Sequence, residues 1–266
     1  VSDLEQQPAA SPSGEVNHIR RVLRIWAILS VIGVILVILL SAAVNPSRAS
    51  SVAGFASLTD LVFTALAVPV GLFVWVFIFY SVFVFRERGR AADVDQLSDG
   101  PALEASPKLQ IWWLAITGGL AIFLVGWGGF GFLKQTTDSP PNPLVVDVTG
   151  QQWFWTYDYP SLGVKSATLE LPVGRPISFH VTSDDVLHGF AVEGLDVLVD
   201  ANPGWWTTIP TVTPDRTGTF ATRCVELCGL YHTYMWSPVH IVEPSTFANW
   251  VSSNGGHMTS TSKAGA

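Results

Sequence analysis

Cys224-Val225-Glu226-Leu227-Cys228-Gly229-Leu230-Tyr231-His232-Thr233-Tyr234-Met235 is the densest run of metal-seeking side chains in this 266-residue chain, and a separate histidine stands upstream in Asp185-Val186-Leu187-His188. Together they offer two thiolates, two imidazoles, a thioether and a carboxylate. Soft sulfur and imidazole favour copper or zinc over hard cations such as calcium and magnesium. Cys224 and Cys228 are the only cysteines in the chain. A mononuclear blue-copper centre takes two histidines, one thiolate and a distant methionine, which leaves a cysteine over. Tetrahedral zinc takes both cysteines and both histidines and leaves Met235 without a role. Two metal ions bridged by both thiolates use every donor. A structural disulfide suits an oxidising compartment but explains neither histidine nor the Met235 spacing.

The loop resembles the dinuclear copper A motif of cytochrome c oxidase subunit II, Cys-x-Glu-x-Cys-Gly-x-x-His-x-x-Met with a distant histidine before it, and every position is filled. By that resemblance His188, Cys224, Cys228, His232, Met235 and the backbone carbonyl of Glu226 hold two copper ions, one histidine to each. The Glu226 carboxylate matches a residue that in the family reaches a magnesium ion at the boundary with subunit I. The resemblance implies a cupredoxin-like Greek-key sandwich and the role of an electron-receiving subunit. Cytochrome c would deliver electrons to the copper pair, and haem in subunit I would use them to reduce dioxygen to water with proton translocation. The implied partners are haem-bearing subunit I, other oxidase subunits, and a cytochrome c that is soluble, tethered or fused to another subunit. No nucleic-acid partner is expected. The chain is part of an enzyme only as a subunit, because its apolar runs contain no histidine to hold a haem.

Outward from the loop the composition changes. Hydrophobic residues make up 48% of the chain and charged residues only 13%, with the apolar excess in the first half. Residues 25–44, 61–85 and 109–133 contain no Asp, Glu, Lys or Arg. Each run is long enough to cross a hydrocarbon core of about 30 Å as a helix, so three transmembrane helices are expected. Arg20, Arg21 and Arg24 precede the first run, and Arg86, Arg88, Arg90 and Lys108 lie between the second and third, whereas residues 45–60 hold only Arg48. Positive charge gathers on the cytoplasmic side, which puts the N-terminus inside and everything after Lys134 outside. The resemblance implies a respiratory membrane, that of a bacterial cell, and the charges put the copper domain on its extracytoplasmic side. Ser41, Ala42 and Ala43 would also suit cleavage of the first run as a signal peptide, but its length favours a retained anchor.

The second and third runs resemble the two-helix hairpin of subunit II, and Gln110-Ile111-Trp112-Trp113 matches the family's Glu-x-x-Trp. The first anchor is extra to that plan. Gln110 replaces a glutamate at the mouth of a proton path and cannot titrate, so Glu104 or another subunit would have to serve there. Trp112 and Trp113 read as interface anchors beside Lys108. The third run's glycines, Gly118 to Gly131, offer a small-residue surface to a larger membrane partner.

Beyond a linker at 134–143, short β-rich runs at 144–148, 153–157, 168–171, 177–181, 206–209, 217–222 and 239–242 are separated by turn signals such as Pro172-Val173-Gly174 and Asn202-Pro203-Gly204. This spacing reads as a β-sandwich, whose clustered end loops would bring His188 beside the cysteine segment. The resulting division is a polar cytoplasmic tail at 1–24, a membrane region at 25–133, the linker, a copper A domain at 144–251 ending in a short helix, and a flexible tail at 252–266.

Gly150-Gln151-Gln152-Trp153-Phe154-Trp155 resembles the family's Gly-His-Gln-Trp-Tyr-Trp, with Gln151 for histidine. Its first tryptophan receives electrons from cytochrome c, a role that the resemblance passes to Trp153. As a strand the segment would put Trp153, Trp155, Tyr157 and Tyr159 on one face and Phe154 on the other. From Lys134 onward six basic residues oppose twelve acidic ones, so this region carries most of the net charge of −7. Acidic side chains near the copper would steer a basic donor, and Asp158, Glu193, Asp196 and Asp200 are the docking candidates, with Asp184 and Asp185 beside them. His180 and His240 fall within strands and read as structural. Two other functions share the ligands: a copper A subunit of a membrane nitric oxide reductase, and a membrane-tethered copper chaperone.

Overall fold

Leu144, Val146 and Val148 alternate with Val145, Asp147 and Thr149, and in the computed structural model of the chain they form the buried face of a strand. The structure describes residues 12–44, 48–86, 106–137 and 140–258. Among these, three long helices come first: α1 (Pro12–Val44), α2 (Ser51–Val84) and α3 (Pro107–Thr137). Then follow β1 (Leu144–Gln151), β2 (Phe154–Tyr159), β3 (Val164–Ser166), β4 (Leu169–Pro172), β5 (Ile177–Ser183), β6 (His188–Val192), β7 (Val197–Ala201), β8 (Thr207–Thr208), β9 (Gly218–Cys224), β10 (Trp236–Val242) and α4 (Pro244–Ser253). The chain divides into two units, one of Val1–Val44 with Asp60–Ala115 and one of Asn45–Thr59 with Ile116–Ala266.

In the first unit α1 and α2 pack antiparallel. A Cβ added at Gly33 would lie 2.7 Å from Val68 Cγ1, so only glycine permits that approach. Trp26 Nε1 donates to Pro69 O at 2.8 Å and sets its ring edge-on to Phe73. All three helices are long and apolar enough to cross a membrane. They also outrun the charge-free runs. α1 starts at Pro12 rather than at residue 25, because polar residues continue a helix beyond the hydrocarbon and proline suits a first turn. α2 starts at Ser51 rather than at 61, with Ser50 Oγ accepting from Ala53 N at 3.1 Å. Absence of charge marks the lipid-facing stretch, not the helix end. Arg88, Arg90 and Glu104 lie outside the described residues.

The second unit holds a sandwich of two five-stranded sheets, ordered β3-β2-β1-β5-β8 and β4-β10-β9-β6-β7. β1 pairs parallel with β5, and β4 parallel with β10, because the chain passes from one sheet to the other between them. Phe190 of β6 meets Trp155, Phe179 and Tyr157 of the opposite sheet at ring separations of 5.3, 5.5 and 6.5 Å. The Tyr157 hydroxyl bonds Thr222 and Ser237, so a buried polar atom ties β2 to β9 and β10 without an unmet bond. Burial pushes that phenol up to about 12.

Ten strands form where seven were expected. The additional ones are β3 and the β6–β7 hairpin, whose His-Gly start and acidic residues hide the alternation. The expected strand from 153 begins at Phe154, so only Trp155, Tyr157 and Tyr159 share the buried face. His180 sits 3.2 Å from Asp147 and His240 2.6 Å from Glu170, both as strand-to-strand pairs. The flexible tail expected at 252–266 is corrected over 252–258, while 259–266 lie outside the described residues. α4 continues to Ser253, Gly256 N donates to Val251 O and His257 N to Leu162 O. Gly256 lacks the Cβ that would stand 2.3 Å from Val164, which lets this segment lie flat on the sandwich.

Candidate metal centre

One end of the sandwich collects the last residues of β1, β5, β7 and β9 and the first of β2, β6 and β10. Cys224 ends β9 and Met235 immediately precedes β10, so the loop between them is an ordinary strand connection carrying ligands at both ends. Its ends are closed by Cys224 N donating to Met235 O at 3.0 Å. A short turn of 3-10 helix at His232–Tyr234 folds the loop back, and Gly229, at φ 125°, supplies the reversal. His188, the first residue of β6, enters from the neighbouring strand. It is a strand residue, not a loop residue, and it is fully buried.

The structure brings together the six donors named from the sequence. Cys224 and Cys228 are free thiols with sulfurs 3.7 Å apart, so they are not a disulfide. Cys224 Sγ lies 3.8 Å from His188 Nδ1 and 3.2 Å from Glu226 O. Cys228 Sγ lies 3.6 Å from His232 Nδ1 and 3.8 Å from Met235 Sδ. His188, Cys224 and Cys228 alone put one donor atom each within 4.8 Å of the others, and all three are buried. Burial, helped by the bond to Cys224, pushes the Cys228 thiol up to about 11. Both cysteines are buried side by side, and a metal that binds Cys228 Sγ must displace its proton.

Asp185 orients the site. Its Oδ1 lies 2.8 Å from His188 Nε2, and since a carboxylate only accepts, Nε2 carries the hydrogen and Nδ1 presents a lone pair to the sulfurs. The same carboxylate accepts from Val186 N at 2.6 Å and from Gln152 N at 2.7 Å. Burial works to raise the Asp185 pKa, but the bonds from Gln152 N, His188 and Val186 N outweigh it and hold the carboxyl below its ordinary value. From sequence this residue read only as a surface charge. The Asp-x-x-His spacing was the available signal.

Gln152 fastens the other side of the pocket. Its Nε2 donates to Cys228 O at 2.7 Å, so the β1–β2 turn is tied both to the cysteine loop and to the carboxylate that holds His188. Trp153 occupies that turn. Its ring is half-buried, edge-on to Tyr231 at 4.8 Å, and a Cβ at Gly229 would lie 3.4 Å from its Nε1. Two glycines make room for the ligands. A Cβ at Gly150 would stand 3.0 Å from the His188 ring, and one at Gly189 would stand 2.9 Å from Glu226 N.

Of Asp158, Glu193, Asp196 and Asp200 only Asp200 is at this end, exposed on β7 and paired in register with Gly189. Asp158 lies five residues along β2 from Trp153, about 17 Å away at strand rise, and is bound to Lys165 at 2.9 Å. Glu193 and Asp196 lie in the turn at the far end of the β6–β7 hairpin, with Glu193 paired to Arg223. Strand direction carries these three away from the ligands. Asp184 and Glu226 are exposed at the ligand end. Around them stand Leu227, Leu230 and Tyr234, which are 82%, 81% and 74% exposed.

A family model described as "Cytochrome C oxidase subunit II, periplasmic domain" matches residues 162–242. The "Heme-copper oxidase subunit 2" of Aeropyrum pernix is 32% identical over 203 residues, covering 71% of this chain and 85% of its own. The "Cytochrome c oxidase subunit 2" of Synechocystis sp. is 27% identical over 237 residues, covering 71% of this chain and 70% of its own. Among solved structures, the periplasmic domain of subunit II of the cytochrome oxidase of Bradyrhizobium japonicum is 30% identical and covers 48% of this chain and 99% of its own, with a TM-score of 0.42.

Proposed function

Since this chain belongs to the cytochrome c oxidase subunit II family of haem–copper oxidases, we propose that it is the subunit through which electrons from cytochrome c reach haem in subunit I, for reduction of dioxygen with proton translocation. The carrying observation is the convergence of two free thiols, two imidazoles, a thioether and a carbonyl on one pocket at the end of a β-sandwich. That donor set fits a dinuclear copper centre better than the single-metal alternatives. Blue copper would leave one of two adjacent buried sulfurs unused, and zinc would leave Met235 Sδ beside Cys228 for no purpose. When bound, the copper pair supplies one-electron storage. His188, Cys224, Glu226 O, Cys228, His232 and Met235 would hold it, with the Glu226 carboxylate turned outward toward a magnesium ion shared with subunit I.

The protein's own part is rigidity and exclusion of water. Asp185 holds the His188 tautomer, and Gln152 and the β9–β10 register hold the sulfurs, so the ligands need little rearrangement between redox states. Trp153, half-buried against the loop, is the proposed arrival point for electrons. Exposed Leu227, Leu230 and Tyr234 would form the apolar centre of a donor contact, with Asp184, Asp200 and Glu226 as a negative rim. The chain is an integral membrane protein with its copper domain extracytoplasmic. The N-terminus is proposed to be cytoplasmic on the strength of Arg20, Arg21 and Arg24.

Copper loading of the full chain tests this reading. Two tightly held coppers and a delocalised mixed-valence paramagnetic signal are expected, and Cys224→Ser and Cys228→Ser should each abolish it. A signal surviving either change would count against bridging, and one labile cuprous ion per chain would favour a chaperone. Turnover of the purified complex with dioxygen, and not nitric oxide, is expected.

A further inference from the structure

Arg20, Arg21 and Arg24 on α1 and Arg86 just after α2 place four exposed guanidinium groups at one end of the antiparallel helix pair. Between the helices at that end lies a cavity of about 490 Å³. Its walls are mostly apolar, with Ile19, Val22 and Leu23 of α1 facing Phe73 and Phe77 of α2 and Phe85 just after it. The principal polar feature is His18 Nδ1, 2.8 Å from the Tyr80 hydroxyl. Toward the middle of the helices Trp26, bonded to Pro69 O, stands edge-on to Phe73 of the lining. From residue 73 to its end at Val84 α2 rises about 16 Å, which makes the cavity a slot running from the charged end into the apolar body of the pair.

We propose that this slot binds one anionic phospholipid, an acyl chain lying among Val22, Phe73 and Phe77 and the phosphate at the arginine-flanked mouth. Left empty, a mostly apolar slot forfeits dispersion contacts along its lining. A bilayer supplies hydrocarbon chains to fill it. The charge at one end selects among them, because basic residues beside a slot between membrane helices attract anionic headgroups. The His18 and Tyr80 pair sits where a polar headgroup meets hydrocarbon, the depth that tyrosine favours. By the positive-inside rule this end faces the cytoplasmic leaflet.

Native mass spectrometry of the full chain in detergent, titrated with phosphatidylglycerol or phosphatidylcholine, tests the proposal. Phosphatidylglycerol should bind one per chain and at least tenfold more tightly. Arg20→Gln with Arg21→Gln should cut that preference by about fivefold per arginine. Val22→Trp fills the slot and should abolish both lipids while the helical circular dichroism and the copper signal persist. Equal retention of the two lipids, unchanged binding in either variant, or displacement of the lipid by an isoprenoid quinone would overturn it. None of these residues touches the copper pocket, so failure here leaves the electron-transfer reading standing.

Discussion

Replacing Asp185 with alanine removes the acceptor of four hydrogen bonds at once, from His188 Nε2, Val186 N, Gln152 N and Ser183 Oγ at 2.8, 2.6, 2.7 and 3.3 Å. A bond to a charged group contributes about 1.5–3 kcal/mol, but the carboxylate is 26% exposed and water can replace it at the two backbone donors. His188 is fully buried, so its bond bears the full loss. The expected destabilisation is therefore about 2–3 kcal/mol rather than the sum of four bonds. Metal binding should suffer more specifically. Without the carboxylate the imidazole is free to carry its proton on Nδ1, which points a donor at Cys224 and blocks coordination. Loss of such an outer partner weakens metal affinity by about 10- to 100-fold. Asp185→Asn should fall between, since one amide oxygen can serve His188 while its NH2 faces Gln152 N–H, or the reverse. The assay is copper competition against a chelator of known affinity, read with the paramagnetic spectrum, and urea unfolding of the same samples. Copper affinity within twofold of wild type in Asp185→Ala, with an unaltered spectrum, would refute the orienting role.

Tyr157 has an ordinary phenol pKa of 10.0 and is pushed up to about 12 by burial, so its contribution to stability is intact below pH 10 and is lost between pH 10 and 12. That loss amounts to about 1.4 kcal/mol per pH unit over the window. Unfolding midpoints of Tyr157→Phe should lack this part of the alkaline slope, and identical slopes would contradict it. Gly189→Ala puts a Cβ 2.9 Å from Glu226 N, which should cost about 1–3 kcal/mol and distort the copper spectrum more than thermal unfolding alone suggests. Gln152→Ala should loosen the Trp153 turn, slowing electron arrival in stopped-flow while two coppers remain bound; an unchanged rate would sever Gln152 from that role. Gly256→Ala should lower stability by forcing the 254–258 segment off Val164, seen as a shifted urea midpoint, whereas a free tail would show none.

Much of the site was readable because its donors are local. Five of the six residues proposed to hold the metal fall between Cys224 and Met235, and donor chemistry alone narrows the metal. The three apolar helices were equally legible, since the absence of charge over twenty residues is a property of composition. Less legible were the positions where chain distance and spatial distance part. Trp153 read as a strand residue because aromatic alternation continues through it, yet the β1–β2 register leaves it in the turn. Asp158, Glu193 and Asp196 looked equivalent to Asp200 as acidic residues, and strand direction separates them.

Composition and local order by themselves determined a membrane anchor, a β-rich outer domain and a paired-thiol loop, because each rests on residues that are neighbours in the chain. Tertiary structure alone decided which nitrogen of His188 faces the sulfurs, that Asp185 and Gln152 hold the pocket, and which carboxylates border it. Those outcomes depend on hydrogen bonds between segments 33 and 76 residues apart, as between Gln152 and Asp185 or Cys228, and such bonds exist only once two sheets have packed face to face.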